Sequence, residues 1–323
     1  MLTRSLKGQL VPICCYIVMA VSLNLTVGVL GELSLGHAGF MSVGAFSGIV
    51  AAMSLQSAVP SAPLRLAIAM AVGAAAAALA GLVVGTPVLR LRGDYLAIVT
   101  LAFGEIIKEL VNCLLVGHDA NGLGIAFNLS GNMTIDDLRL DPETGIAIIK
   151  GAQGATATKT IATFTAGFVL VMLTLIIVLN LVRSRAGRAI MALRDNRIAA
   201  ESVGINITKY KMMAFVVSAA LAGAAGTLFA MNYSTIVANK FDFNTSILVL
   251  VFVVLGGLGN MLGSIVAAAA LTILPEALRQ FSDYRMLVYA IVLILVMLAT
   301  NNPTLKSFFS RFKPGKSHGK EAA

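Results

Sequence analysis

The sequence predicts an all-α polytopic integral membrane protein of about nine transmembrane segments (about 8–10), one of them broken or re-entrant. Three observations predict it. The 323 residues are 58% hydrophobic and only 12% charged, with a mean hydropathy of +0.89, whereas soluble chains carry about 25% charged residues. Apolar runs long enough to cross a bilayer recur along the chain. Lys and Arg, which give a net charge of +9, gather in a few segments between those runs, as orienting charges do. That distribution argues against nucleic acid as a partner and for membrane lipid as the outer solvent.

A membrane helix needs about 20 mostly apolar residues. Such runs lie near 9–27, 38–55, 64–89, 94–116, 161–182, 212–232, 246–256, 261–279 and 285–300. The first exceeds a signal-peptide core of about 7–15 residues and reads as a retained helix. The run at 246–256 is too short to span alone unless the Gly-rich turn after it lies within the membrane. Cys14, Cys15 and Cys113 sit in apolar runs without a C-x-x-C pair, which argues against a disulfide framework or a metal site.

Orientation follows from charge. The segment 183–211 holds Arg183, Arg185, Arg188, Arg194, Arg197, Lys209 and Lys211 against Asp195 and Glu201, so it is expected in the cytoplasm. The same holds for the basic tail 301–323 and for Arg90 and Arg92. The acidic segment 117–160 is expected outside as a long loop. Residues 1–300 then form one transmembrane domain. Counting back from Arg90 places residues 28–37 inside, yet Arg4 and Lys7 favour the same side across a single run. Either the N-terminus is outside, or Gly28–Gly39, with four glycines and Glu32, re-enters the membrane; the re-entrant reading is preferred. A related Gly-rich texture recurs at Leu255–Gly263, as an internal repeat around a transport path or chance enrichment would both give.

In the run 94–116, Glu105, Lys108, Glu109 and Asn112 fall on one helical face. An ionisable group at bilayer centre costs about 2.5–3.5 kcal/mol on insertion scales and rarely faces lipid. The stripe either borders a translocation path or forms a salt-bridge cluster that anchors neighbouring helices. Gly31–Ala38 has the glycine spacing of a P-loop, but His37 and Ala38 stand where the phosphate-binding Lys and the Mg²⁺-binding hydroxyl belong. The chain is therefore not expected to hydrolyse ATP, and no catalytic constellation is legible. His37 reads as a hydrogen-bonded structural residue more readily than as a ligand; Glu32 is the better candidate for a functional or helix-orienting charge. Gly187–Val203 reads as a short amphipathic cytoplasmic helix stopped by Gly204, suited to docking a soluble partner or serving as a solvated connector.

Four stretches carry a resemblance: LNLTVGVLGELSLGHAGFMSVGAF (23–46), LRLRGDYLAIVTLAFGEIIKELV (89–111), GRAIMALRDNRIAAESVGINITKYKMMAFVVSAALAGAAGTLFA (187–230) and VVLGGLGNMLGSIVAAAALTILPE (253–276). In order and combination they resemble the permeases of branched-chain amino acid ABC transporters, the LivM-like family. The resemblance implies an importer subunit in a bacterial inner membrane, moving cargo by alternating access. It implies a homologous second permease, two cytoplasmic ATP-binding subunits that hold the ATP, and an extracytoplasmic substrate-binding protein, with no cofactor on this chain. The segment holding Arg188, Arg194, Asp195, Ala199, Ala200, Glu201 and Gly204 resembles the loop that contacts the ATPase. Ile198-Ala199-Ala200 stands where the general motif has Glu-Ala-Ala, and Glu201 is displaced from the motif's Glu. Glu32, His37, Glu105, Lys108, Glu109 and Asn112 remain the candidates for the translocation path. A cargo of urea, short amides or other amino acids keeps the same fold. An ion-coupled secondary transporter, supported by Glu105 and Lys108, is the alternative of a different class.

Overall fold

The computed structural model describes residues 2–56, 58–91, 93–119, 122–128, 146–156, 158–277, 290, 291 and 294. Helix α1 (Leu2–Asn24) continues into a π-helical turn, Leu25–Val29. Residues 30–36 are irregular. Then come α2 (His37–Ser54), α3 (Ala62–Val88) and α4 (Asp94–Asn112). Strands β1 (Leu114–Asp119), β2 (Gly122–Phe127) and β3 (Ile146–Lys150) follow. The chain returns through α5 (Phe164–Arg183), α6 (Arg185–Asp195), α7 (Arg197–Ser202) and α8 (Ile207–Ala230). It continues in α9 (Phe243–Gly256) and α10 (Met261–Ala277). Two compact units divide at Thr272 and Ile273; of the second, the described part is the end of α10 with residues 290, 291 and 294.

Among the described residues, six helices are long and apolar enough to cross a membrane: Gly8–Val29, α2, α3, α5, α8, and Ala238–Gly256, which is α9 with the short 3-10 turn before it. The chain is mainly helical, but not wholly so. The run expected as a helix over 94–116 stops at Asn112, and β1 forms the centre of an antiparallel sheet of order β2-β1-β3. Leu114, Leu115 and Val116 look apolar enough to extend α4, but strand partners satisfy their backbone instead, with Val116 opposite both Ile125 and Ile149. The segment 117–160 thus carries strands where a long loop was expected. Its residues 129–145, the run 285–300 apart from residues 290, 291 and 294, the tail 301–323 and Arg92 lie outside the described residues.

Helix α8 packs against α1, α2 and α3. Small residues make this possible. A Cβ on Gly44 of α2 would land on the backbone of Gly223 in α8, and one on Gly223 would lie 2.6 Å from the carbonyl oxygen of Gly73 in α3. Thr227 Oγ1 of α8 donates to Gly44 O at 2.8 Å. Lipid gives helices no hydrophobic reason to associate, so close backbone approach and interhelical hydrogen bonds hold them. The outer helices look different: α3 and α5 leave large apolar side chains such as Val83 and Val169 uncovered, as lipid-facing positions do.

The helices have two distinguishable ends. One carries α6 and α7; the other carries the sheet, bridged to the α8–α9 connection by paired hydrogen bonds between Ala155 and Ile236 at 2.9 and 3.0 Å. Helix α1 begins at the sheet end, where Gly167 near the start of α5 lies against Cys14 and the Tyr16 ring stacks edge-on against Phe229 at 5.9 Å. It ends at the basic end. The parity problem therefore resolves through the N-terminus starting opposite the basic segment, against the preferred reading, and residues 30–36 are non-helical as well. The physical reason is weight: two basic residues in the first turns of α1, Arg4 and Lys7, are outnumbered by the cluster in 183–211, and orientation follows the summed bias.

Leucine at Gly44 or Gly223 should lower the thermal unfolding midpoint of the purified protein sharply, since overpacking costs about 1–3 kcal/mol or more. Gly8→Ala, at a position with nothing within 4 Å of an added Cβ, should not.

Candidate functional site at the basic end

The break between α1 and α2 organises this site. A π-turn widens the helix and is often found at functional positions. Beyond it the backbone leaves helix geometry within a membrane-spanning region, where every N–H and C=O needs an internal partner. Glu32 N–H turns back to Thr26 O at 3.1 Å. Leu35 N–H donates to Thr100 Oγ1 of α4 at 3.1 Å, and Ala38 N–H to Ser246 Oγ of α9 at 3.2 Å. His37, 2% exposed, pairs with Ser22 Oγ of α1 at 2.8 Å, and that hydroxyl donates to Met19 O. His37 is thus held inside the bundle at the level of Ser22.

The second Gly-rich segment meets the first. Gly259, at φ +80°, lies in the turn between α9 and α10. A Cβ on Gly28 would land on Gly259. Gly259 N–H donates to Asn24 Oδ1 at 2.8 Å, and Asn24 Nδ2 donates to Ser264 Oγ of α10 at 2.9 Å. Asn24 is fully buried. The two textures seen in the sequence are therefore two sides of one contact.

The basic segment 183–211 closes the site. It forms two helices rather than the one expected over Gly187–Val203, because Asn196 is extended and its side chain caps α7 by accepting from Ala199 N–H at 3.0 Å. Gly204, at φ +84°, ends α7 as the spacing predicts. Its N–H bonds to Glu201 O and that of Ile205 to Ala200 O, both parts of a Schellman cap. Leu193, Ala200 and Ile207 form one small core that joins α6, α7 and the start of α8. Ile198 and Val203 point outward at 82% and 74% exposure, and Glu201 is exposed. Arg188 reaches Arg183 O at 3.4 Å. Arg194 Nη1 donates to Gly28 O at 2.9 Å, while Asp195 Oδ1 accepts from its Nε and Nη2. Lys211 in the first turns of α8 pairs with Glu32, and both side chains are largely buried.

The charged stripe of α4 lies elsewhere, toward the sheet end. Lys108 pairs with Glu105 and lies 3.5 Å from Glu109. Glu105 Oε1 accepts from Phe243 N–H at the start of α9 at 3.2 Å, and Asn112 reaches both Glu109 and Asn239. The spacing brought the four together as expected; their non-local partners show that they also tie α4 to α9. Near the same end, an open cavity of about 500 Å³ has almost wholly apolar walls, including Val43, Phe46 and Val50 of α2, Val111 of α4 and Ile149 of β3.

A family model described as "Branched-chain amino acid transport system / permease component" matches residues 6–297. This chain belongs to that permease family. It is 34% identical over 324 residues to the high-affinity branched-chain amino acid transport system permease protein LivM of Salmonella typhimurium, covering 95% of this chain and 72% of that protein. The Escherichia coli K12 protein of the same name is 35% identical with the same coverage. The permease protein BraD of Pseudomonas aeruginosa is 26% identical over 288 residues, covering 88% of this chain and 89% of that protein. No solved structure matches at comparable significance. As a LivM-like permease with several spanning helices, the chain is a multi-pass membrane protein.

Sequence reasoning missed Asn24, Ser22, Thr100, Ser246 and Ser264. Ser22, Asn24, Thr100 and Ser264 each have apolar residues or glycine on both sides, and Ser246 follows Asn244 and Thr245 at the head of an apolar run. The available signal was their burial cost: an isolated polar side chain in a spanning helix needs a partner.

Glu32→Gln should destabilise the permease by about 3–5 kcal/mol, because it leaves the buried Lys211 uncompensated. The Glu32→Leu/Lys211→Met pair should recover most of that loss in thermal unfolding. Glu105→Gln, on a side chain 39% exposed, should cost only about 1 kcal/mol or less.

Proposed function

We propose that this permease is the transmembrane subunit of an ATP-driven importer of branched-chain amino acids in a bacterial inner membrane. The match to the family across residues 6–297 carries the reading, and proteins of that description move branched-chain amino acids. The apolar cavity between α2, α4 and the sheet suits a hydrophobic side chain better than urea or an amide, because its walls offer almost no polar group.

The basic end faces the cytoplasm and the sheet end faces outward, where an extracytoplasmic binding protein delivers cargo. Nine segments span the membrane: the six long apolar helices, with α4, α10 and the run 285–300. A homologous permease completes the translocation path, to which Glu32 and His37 contribute at the break and the α4 stripe toward the outside. ATP is bound and hydrolysed by two partner subunits, and this chain carries no cofactor. Those subunits dock on α6–α7, where Ile198 and Val203 present apolar side chains on an otherwise polar connector. The exposed Glu201 and the half-buried Arg197 flank them in sequence. ATP binding draws the ATPases together, α6–α7 carries that motion into the bundle, and access alternates between the two sides.

Purified with its partner subunits and reconstituted, the permease should accumulate leucine, isoleucine or valine only with ATP and binding protein. Uptake by the lone chain driven by a proton gradient would overturn the reading. Ile198→Glu combined with Val203→Glu should abolish co-purification of the ATPases and leave the permease's own unfolding midpoint unchanged, since neither side chain packs in the bundle.

A further inference from the structure

We propose that Arg194 is a positioning residue that fastens the α6–α7 segment to the basic end, its one guanidinium bonding the α1 break and lying against the α9–α10 turn. The inference rests on the reading that α6–α7 receives the partners' motion, and it identifies where that motion is delivered.

The contacts converge. Arg194 Nη1 donates to Gly28 O at 2.9 Å. Its aliphatic stem occupies the space that Gly31 leaves open: a Cβ on Gly31 would lie 2.6 Å from Arg194 Cγ. On the other side, a Cβ on Gly259 would lie 3.5 Å from Gly28 O and 3.9 Å from Arg194 Nη1. Asp195 orients the fork by accepting from Nε at 3.2 Å and Nη2 at 3.1 Å. Glycines at 28, 31 and 259 therefore share one function here, which is to let two irregular backbones and one side chain occupy the same small volume.

The side chain also sits on a block packed around one small core. The core of Leu193, Ala200 and Ile207 joins α6, α7 and the α8 start, so displacement of the exposed Ile198 face carries Arg194 with it. Lys211 of the same block holds Glu32 of the same break. Two charged contacts thus run from the docking segment to residues 28–32, and only Arg194 also approaches the α9–α10 turn. Lysine cannot replace it fully, because a point charge lacks the planar fork that serves Gly28 O and Asp195 together.

The test uses the complete complex with ATPases, second permease and binding protein, reconstituted in proteoliposomes, with Arg194→Gln and Arg194→Lys. In the glutamine variant the complex should assemble and hydrolyse ATP, while cargo moved per ATP falls about tenfold or more, the scale of one charge-assisted hydrogen bond. The lysine variant should fall between. A second arm places Ser34→Cys in a background without the three native cysteines and measures labelling by a membrane-impermeant maleimide without ATP, both in the complex and in the lone chain. Ser34 is 2% exposed, and Arg194→Gln should speed its labelling about tenfold. An unchanged coupling ratio with unchanged labelling would overturn the proposal. Loss of ATPase binding in the glutamine variant would also overturn it, by assigning Arg194 to the docking face. Wild-type transport that needs no ATP would instead defeat the importer reading, while the labelling of the lone chain still decides the role of Arg194.

Discussion

The backbone between Val29 and His37 cannot be left to itself. It is irregular where its surroundings are spanning helices, and an unpaired amide there costs several kcal/mol. The rest of the bundle is arranged around this break and the residues at its edges, from Gly28 to Ala38. Helix α4 supplies Thr100, α9 supplies Ser246, α6 supplies Arg194 to the carbonyl of Gly28, and α8 supplies Lys211 to Glu32. Four elements distant in sequence are fixed in register by one short stretch, and the α6–α7 segment becomes part of the same hydrogen-bonded system as the membrane core.

That arrangement needs thin helices around it. Gly44, Gly223 and Gly73 bring α2, α8 and α3 together closely enough for Thr227 to bond across to Gly44. Gly28 and Gly259 do the same at the basic end. In a membrane, where lipid tails are as apolar as the side chains, packing density and hydrogen bonds carry the association. The sheet end has a different character, with an apolar cavity and a charged stripe on α4 capping the start of α9. The permease thus presents a polar, tied basic end and a more open, apolar end on the sheet side.

Much of this was legible in the sequence, because the relevant signals are local. Hydropathy located the long helices of the described residues, and the spacing of Glu105, Lys108, Glu109 and Asn112 placed them on one face. The four glycines of Gly28–Gly39 marked the break, and Gly204 marked the end of α7. What escaped depends on contacts between distant segments. Leu114–Val116 reads as helix by hydropathy and becomes a strand only because β2 and β3 pair with it. Asn196 interrupts α6–α7 through a cap that the composition of Gly187–Val203 does not reveal. The Gly-rich texture at Leu255–Gly263 was visible, but not that Gly259 touches Gly28. Asn24, the residue that joins them, carries no periodic signal at all.

The end of α1 and the α9–α10 turn form one junction. Asn24 and Ser264, whose side chains bond at 2.9 Å, test it most directly. Asn24→Cys and Ser264→Cys, introduced together without the native cysteines, should form an intramolecular disulfide on mild oxidation in membranes, detected by intact mass after alkylation. The required approach of two Cα atoms, about 4.4–6.8 Å, exists only if the junction does. Complete alkylation of both thiols under oxidising conditions, with the protein folded, would contradict the account.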